Sequence, residues 1–158
     1  MSAPDSSSLS PNQCRKRAMD ALARREHGFD ELVDKLCDRG FEPEVVVAEL
    51  SRLREEGLQS DRRFAEAFVS SRFRQGKGPQ RIRAELRAKR LGDALVDAAL
   101  RESEFDWGAL ARDVRVRKYG EAVPETFELK AKQMRFLPYR GFSQEQISVA
   151  MSCPLPVE

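Results

Sequence analysis

Apolar residues recur along this chain three and four positions apart, in short stretches punctuated by Gly, Pro and Ser/Asp, the pattern of a succession of short amphipathic helices. The first stretch, Gln13 to Arg25, turns Ala18, Leu22 and Met19 inward, and His27-Gly28-Phe29 breaks it. Asp30 is placed to cap a helix over Glu31–Asp38, with Leu32, Val33 and Leu36 on one side. Gly40 stands where a left-handed cap is wanted, Phe41 follows as a plug, and Pro43 opens a third helix carrying Val46, Val47, Leu50 and Leu53 to Gly57.

The same grammar then repeats. Ser60 or Asp61 caps a stretch with Phe64, Ala65, Phe68 and Val69 inward, ending near Phe73. Pro79 opens the next, with Ile82 and Leu86, and Leu91 leads to Leu95, Val96, Ala99 and Leu100. Asp106 caps a helix with Trp107, Leu110, Ala111 and Val114. After a loop over Gly120–Glu125, Phe127, Ala131, Met134 and Leu137 form a further stripe, and Ser143 with Gln146 makes the capping box of a last helix through Met151.

Overlaying the three sets exposes an internal repeat with offsets of 50 and 51 residues. Leu36, Leu86 and Leu137 correspond, then Phe41, Leu91 and Phe142, then Val46, Val96 and Ile147, then Leu50, Leu100 and Met151. The expected fold is all-α, three tandem three-helix repeats in an elongated, curved array, stacked so that neighbours share a core. The expected divisions are a disordered lead-in over 1–12, repeats over 13–57, 58–104 and 105–152, and a tail over 153–158. No apolar run approaches the ~18 residues of a membrane span. The amino terminus has no basic and apolar regions in the order of a secretory signal. Cys14, Cys37 and Cys153, odd in number and far apart, suit neither a disulfide framework nor a zinc site and suggest a reducing cytoplasm.

Charge changes the picture. Residues 62–90 carry ten Lys/Arg and two acids, a net +8 in a chain of net +2, while residues 26–61 carry −7. Positive charge gathered in one segment is relieved by an anionic partner, although a solvated helix pair has the same composition. Arg83, Arg87 and Arg90 stand at i, i+4 and i+7 on one face, with Arg72, Arg74 and Lys77 beside them. Arginine suits bidentate contact with phosphate or carboxylate. The helix after this basic one, DALVDAALRE, is apolar and acidic, which argues against base reading in a major groove and favours backbone contact or a protein partner.

Little points to catalysis. Gly76-Lys77-Gly78 lacks the spacing and hydroxyl of a nucleotide-binding loop. His27, beside Gly28, reads as a solvated helix-end residue. The cations of the third repeat, Arg112, Arg115, Arg117, Lys118, Lys130, Lys132 and Arg135, are interleaved with acids and read as a solvated face, and Arg15, Lys16 and Arg17 can extend the basic surface.

The run Leu58-x-x-Asp61-x-x-Phe64-Ala65-x-x-Phe68, with Arg72 and then Gly78-x-x-x-Ile82-x-x-Glu85-Leu86-x-x-Lys89, resembles the central signature of the RecX family, bacterial regulators of the RecA recombinase. Lys132-Gln133-x-x-Phe136-Leu137-x-x-Arg140-Gly141-Phe142-Ser143-x-x-x-Ile147 resembles its closing motif, and Leu32-x-x-x-Leu36-x-x-x-Gly40-Phe41 its opening, so the likeness covers about residues 14–151. Two departures stand out. Arg90-Leu91 occupies a place where the family often has Gly and an apolar residue, and Pro138 falls where it should cut its helix short.

The resemblance implies no enzymatic activity and no cofactor. It implies binding along the RecA–DNA filament, in its groove, with damping of recombinase, ATPase and co-protease activities, and binding to single- and double-stranded DNA. A monomer in the cytoplasm, with no membrane association, is the accompanying expectation. The residues expected to meet filament or DNA are Arg72, Arg74, Lys77, Arg81, Arg83, Arg87, Lys89, Arg90, Arg115, Lys118, Lys132 and Arg135. A duplex-binding regulator acting without a recombinase is the competing reading.

Overall fold

The computed structural model describes residues 9–152, which form nine α-helices and, among the described residues, no strand. The first bundle comprises α1 (Pro11–Arg24), α2 (Phe29–Asp38) and α3 (Pro43–Glu55). The second comprises α4 (Asp61–Arg74), α5 (Pro79–Ala88) and α6 (Asp93–Glu102), and the third α7 (Trp107–Tyr119), α8 (Phe127–Tyr139) and α9 (Gln144–Met151). No helix is long and apolar enough to cross a membrane.

One turn recurs between the second and third helix of every bundle, and it explains the repeat. Gly40, Arg90 and Gly141 adopt left-handed backbone, with φ of 98°, 64° and 102°. The residue after each, Phe41, Leu91 or Phe142, is buried and donates its N–H back to Leu36, Leu86 or Leu137, at 3.3, 3.3 and 3.2 Å. This six-to-one bond with its apolar contact is a Schellman stop. The Leu and the aromatic or Leu five residues later are therefore the two ends of one helix-stopping device. Arg90 holds the conformation without the freedom of glycine, so the turn survives the departure seen in the sequence, under local strain.

Helix starts follow the punctuation. Ser10, Ser60, Asp106, Thr126 and Ser143 each accept the N–H three residues on, and Ser143 with Gln146 completes its capping box. Several expectations need correcting. The first helix begins at Pro11, because Ser10 caps it and Leu9 packs on the first core, so residues 9–12 are not a loose lead-in. Residues 1–8 and the tail expected over 153–158, with Cys153, lie outside the described residues. Gly28, not Asp30, is the N-cap of α2. Met19 and Val47 face solvent, and Phe127 is 85% exposed rather than part of a core stripe. Pro138 sits in the last turn of α8, which ends one residue later at Tyr139.

The bundles do not share one continuous core, although Trp107 of α7 packs against the second cluster. Three separate apolar clusters form, around Leu32, Phe41 and Leu50, around Phe64, Ile82 and Val96, and around Val114, Phe142 and Ile147. Between the first two bundles the joint is largely polar. Asp61 accepts the Phe29 N–H at 2.8 Å, and the Gln59 amide, 1% exposed, donates to the His27 carbonyl at 3.2 Å and to Asp61 at 3.0 Å. Asp61 thus ties the bundles together, leaving Ser60 as the cap of α4. Gly28 also fits closely against the Phe64 ring and Leu91.

The joint between second and third bundles is backbone on backbone. Gly78 donates its N–H to the Arg140 carbonyl at 2.8 Å, and Gln80 to the Gly141 carbonyl at 3.0 Å. A Cβ at Gly78 would stand 2.7 Å from the Phe142 nitrogen, and one at Gly141 would stand 2.8 Å from the Arg81 nitrogen, so both positions demand glycine. The Arg140 guanidinium donates to the Gln75 and Gly76 carbonyls at 2.9 and 3.2 Å. Beside it Phe73 stacks on Phe105, ring centroids 4.0 Å apart, with Trp107 edge-on to both. Among the described residues no hydrogen bond or ion pair joins the first bundle to the third, so each meets only its sequence neighbour.

Candidate functional site

The basic segment is far more neutralised than its composition suggests. Arg62 meets Glu66 at 3.1 Å, Arg63 meets Glu26 at 3.0 Å, and Glu85 is shared by Arg72 and Lys77 at 3.3 and 3.4 Å. Arg83 meets Asp97 at 2.8 Å, Arg87 meets Asp93 at 2.7 Å, Lys89 meets Glu31 at 2.6 Å and Arg90 meets Asp34 at 2.5 Å. Eight of the ten cations of residues 62–90 therefore sit on a carboxylate, and only Arg74 and Arg81 have none among the described residues. Glu26, Glu31 and Asp34 come from the acidic segment of the first bundle, which folding lays against the basic one.

Two of these contacts shift proton affinities. Burial would raise the Glu31 carboxyl, but hydrogen bonds from Arg25 and Lys89 outweigh it, and the group lies below the ordinary carboxylate range. The Arg87 hydrogen bonds hold Asp93 low as well. Arg87 and Arg83 remain open to solvent and can share their charge with a polyanion. Lys77 is mostly covered, and the Arg72 guanidinium lies 4.3 Å over the Phe68 ring.

Two expected residues sit differently again. Arg115 is 1% exposed, not on a solvated face, and its Nε donates to the Ala150 carbonyl at 2.7 Å. With Arg112 donating to the Val149 carbonyl, it ties α7 to the carbonyl end of α9, which withdraws it from any binding surface. His27 is also internal, 2% exposed, with Nδ1 donating to the Arg25 carbonyl at 3.0 Å. Burial lowers its proton affinity, opposed by that hydrogen bond.

Free cations collect in two places. On α8, Lys132 and Arg135 are exposed without carboxylate partners among the described residues, and with Tyr139 they stand at i, i+3 and i+7 on one helix face. Across the adjoining joint Arg81 has its guanidinium 5.8 Å from the Tyr139 ring centre, over an open cleft lined by Gln80, Pro138 and Gly141. Lys118 lies near this helix too, 4.2 Å over the Phe136 ring. Tyr139 is 75% exposed and was absent from the sequence-based set. Its spacing from Lys132 and its place before the Gly141 turn were the available signals.

The second collection is Arg17 and Arg24 on α1 with Lys35 and Arg39 on α2, surrounding a small cleft floored by Ala21, Leu32 and Leu36, with Asp20 at its rim. Net charge along 26–61 hid the Lys35/Arg39 half of it, although Lys35/Arg39 at i, i+4 and Arg17/Arg24 at i, i+7 mark shared faces.

Three tandem three-helix bundles presenting cationic faces make this a helical-repeat protein, and the family models and curated relatives it matches place it among regulatory proteins. The chain belongs to the RecX family. Models of the first, second and third three-helix domains of RecX match residues 14–53, 60–100 and 108–151. A regulatory protein RecX of Pseudomonas fluorescens is 51% identical over 138 residues, covering 87% of this chain and 89% of that one. One of Pseudomonas putida is 48% identical over 142 residues, covering 90% and 91%. A crystal structure of regulatory protein RecX superposes with a TM-score of 0.76 at 26% identity, over 89% of this chain and 72% of that chain. RecX from Lactobacillus salivarius shares the fold at 20% identity, with a TM-score of 0.71 over 89% and 94%.

Proposed function

We propose that this protein regulates the RecA recombinase by lying along the RecA–DNA filament, in its groove, and damping recombinase, ATPase and co-protease activities. Family membership supports the partner. The observation that carries the surface is the set of uncompensated cations, Arg74, Arg81, Lys132 and Arg135, on the second and third bundles. Cations that need not surrender an internal carboxylate meet phosphate, or an acidic protein face, at lower desolvation cost than the paired Arg83, Arg87 and Lys77. A linear array bound bundle by bundle suits a periodic fibre.

The test is DNA-dependent ATPase of RecA with added protein at sub-stoichiometric ratio. The wild type lowers turnover, and the triple variant R81E/K132E/R135E needs at least about tenfold more protein for the same effect, a change of about 1.4 kcal/mol. Unaltered ATPase with excess wild-type protein rejects the filament reading. Full potency of the triple variant rejects this surface.

A further inference from the structure

We infer that the joint between the second and third bundles holds an unpaired nucleotide, with its base stacked on Tyr139 and its phosphates met by Arg81, Arg135 and Lys132. A single exposed aromatic ring is ordinary on a protein surface. This one differs in how firmly it is held. The preceding residue is Pro138, whose φ is fixed by its ring. The following residue, Arg140, is anchored through its guanidinium on Gln75 and Gly76, and Gly141 is tied to Gln80 through its carbonyl. Tyr139 therefore rides on a backbone held on both sides of it while its side chain stays in solvent.

Its neighbours complete the chemistry. Arg81 lies over the ring at cation–π range, which leaves the opposite face for a planar partner. Arg135 and Lys132 continue the same helix face at one-turn and two-turn spacing from Tyr139, and neither meets a carboxylate among the described residues. An aromatic platform flanked by free cations is how proteins hold single strands without reading sequence. Duplex bases have their faces covered by stacking and offer such a ring only their ends. The first-bundle cleft between α1 and α2 has cations but no exposed aromatic, and carries no equivalent argument. The inference rests on the filament reading, since it names what the same surface holds in a nucleoprotein fibre.

The experiment measures fluorescence anisotropy of labelled oligothymidylate, and of a closed hairpin duplex of similar length, with wild type, Tyr139→Ala and Tyr139→Phe at one fixed salt concentration. Tyr139→Ala weakens oligothymidylate binding by roughly tenfold, the loss expected for one stacked base, and leaves duplex binding unchanged. Tyr139→Phe retains wild-type affinity because the ring, not the hydroxyl, does the stacking. Equal affinity of Tyr139→Ala and wild type for the oligonucleotide overturns the inference, as does an equal loss on both probes. RecA ATPase inhibition measured on the same variants separates the two readings. Lost inhibition with intact oligonucleotide binding means that the ring grips protein, and the nucleotide site falls while the filament reading stands. Ring-dependent oligonucleotide binding without ATPase inhibition by wild type does the reverse.

Discussion

Replacing Gly78 with alanine adds one methyl group at the tightest point between the second and third bundles. That methyl would overlap the Gly141 carbonyl and stand 2.7 Å from the Phe142 nitrogen, and both obstacles are backbone of a helix-stopping turn, so neither can rotate away. The bundles must separate locally. Two hydrogen bonds are then lost, Gly78 to Arg140 and Gln80 to Gly141, each worth about 1 kcal/mol net. The Arg140 contacts with Gln75 and Gly76 loosen with them. The expected loss is about 2–3 kcal/mol in the coupling of the third bundle to the second. Trp107, the one tryptophan of the chain, packs beside this joint against Phe73 and Phe105 and reports on it directly. In urea titrations the Trp107 emission transition of Gly78→Ala moves to lower denaturant and parts company with the far-ultraviolet transition, which the separate cores preserve. Gly92→Ala is the control, because nothing lies within 4 Å of a Cβ there, and its cost stays below about 1 kcal/mol. If Gly78→Ala unfolds at the wild-type midpoint by both signals, the joint is not the backbone weld described.

Other expectations follow from buried groups. His27 binds its proton less readily folded than unfolded, so its contribution to stability is complete above the unfolded value of about 6.5 and drains away as pH falls below it toward the folded value. The urea midpoint therefore drops between pH 7.5 and 5.5, and His27→Gln flattens that step; a step of unchanged size in the variant contradicts the assignment. Glu31 has the same sign in a lower window, its contribution present above the ordinary 4.5 and lost with further acidification, and Glu31→Gln removes it from a stability–pH curve. The Cys14 thiol, fully buried and pushed up to about 11, resists iodoacetamide at pH 8 in the folded protein while half-buried Cys37 reacts, which peptide mass mapping reads out.

Much of the fold was legible because the signals are local. Ser60, Asp106 and the Ser143/Gln146 box mark their helix starts with side chains that act within three residues. Leu36/Phe41 and its two counterparts expose the stopping turn through residues five apart. What escaped was everything decided across bundles. Asp61 looks like a cap and is instead a tether, because its partner Phe29 lies 32 residues away. Gly76-Lys77-Gly78 reads only as a basic turn without the form of a nucleotide-binding loop, and it is a docking surface for the third bundle. Phe127 matches a helical stripe, but α8 turns that end away from the core. For the surface, charge per segment misled in both directions. It gathered Arg87 and Arg90 into a free patch when Asp93 and Asp34 neutralise them, and it hid Lys35 and Arg39 under a negative total. Buried Arg115 carries no distinguishing sequence mark at all.

Prying the first two modules apart uncovers mostly hydrogen-bonding and charged groups, which water can serve, whereas parting the second from the third also bares the rings of Phe73, Phe105 and Trp107. The softer seam is therefore the first one. Salt, by screening Arg63 from Glu26 and Lys89 from Glu31, loosens that link and leaves the other in place, so a fibre of varying pitch is followed by re-aiming the first module.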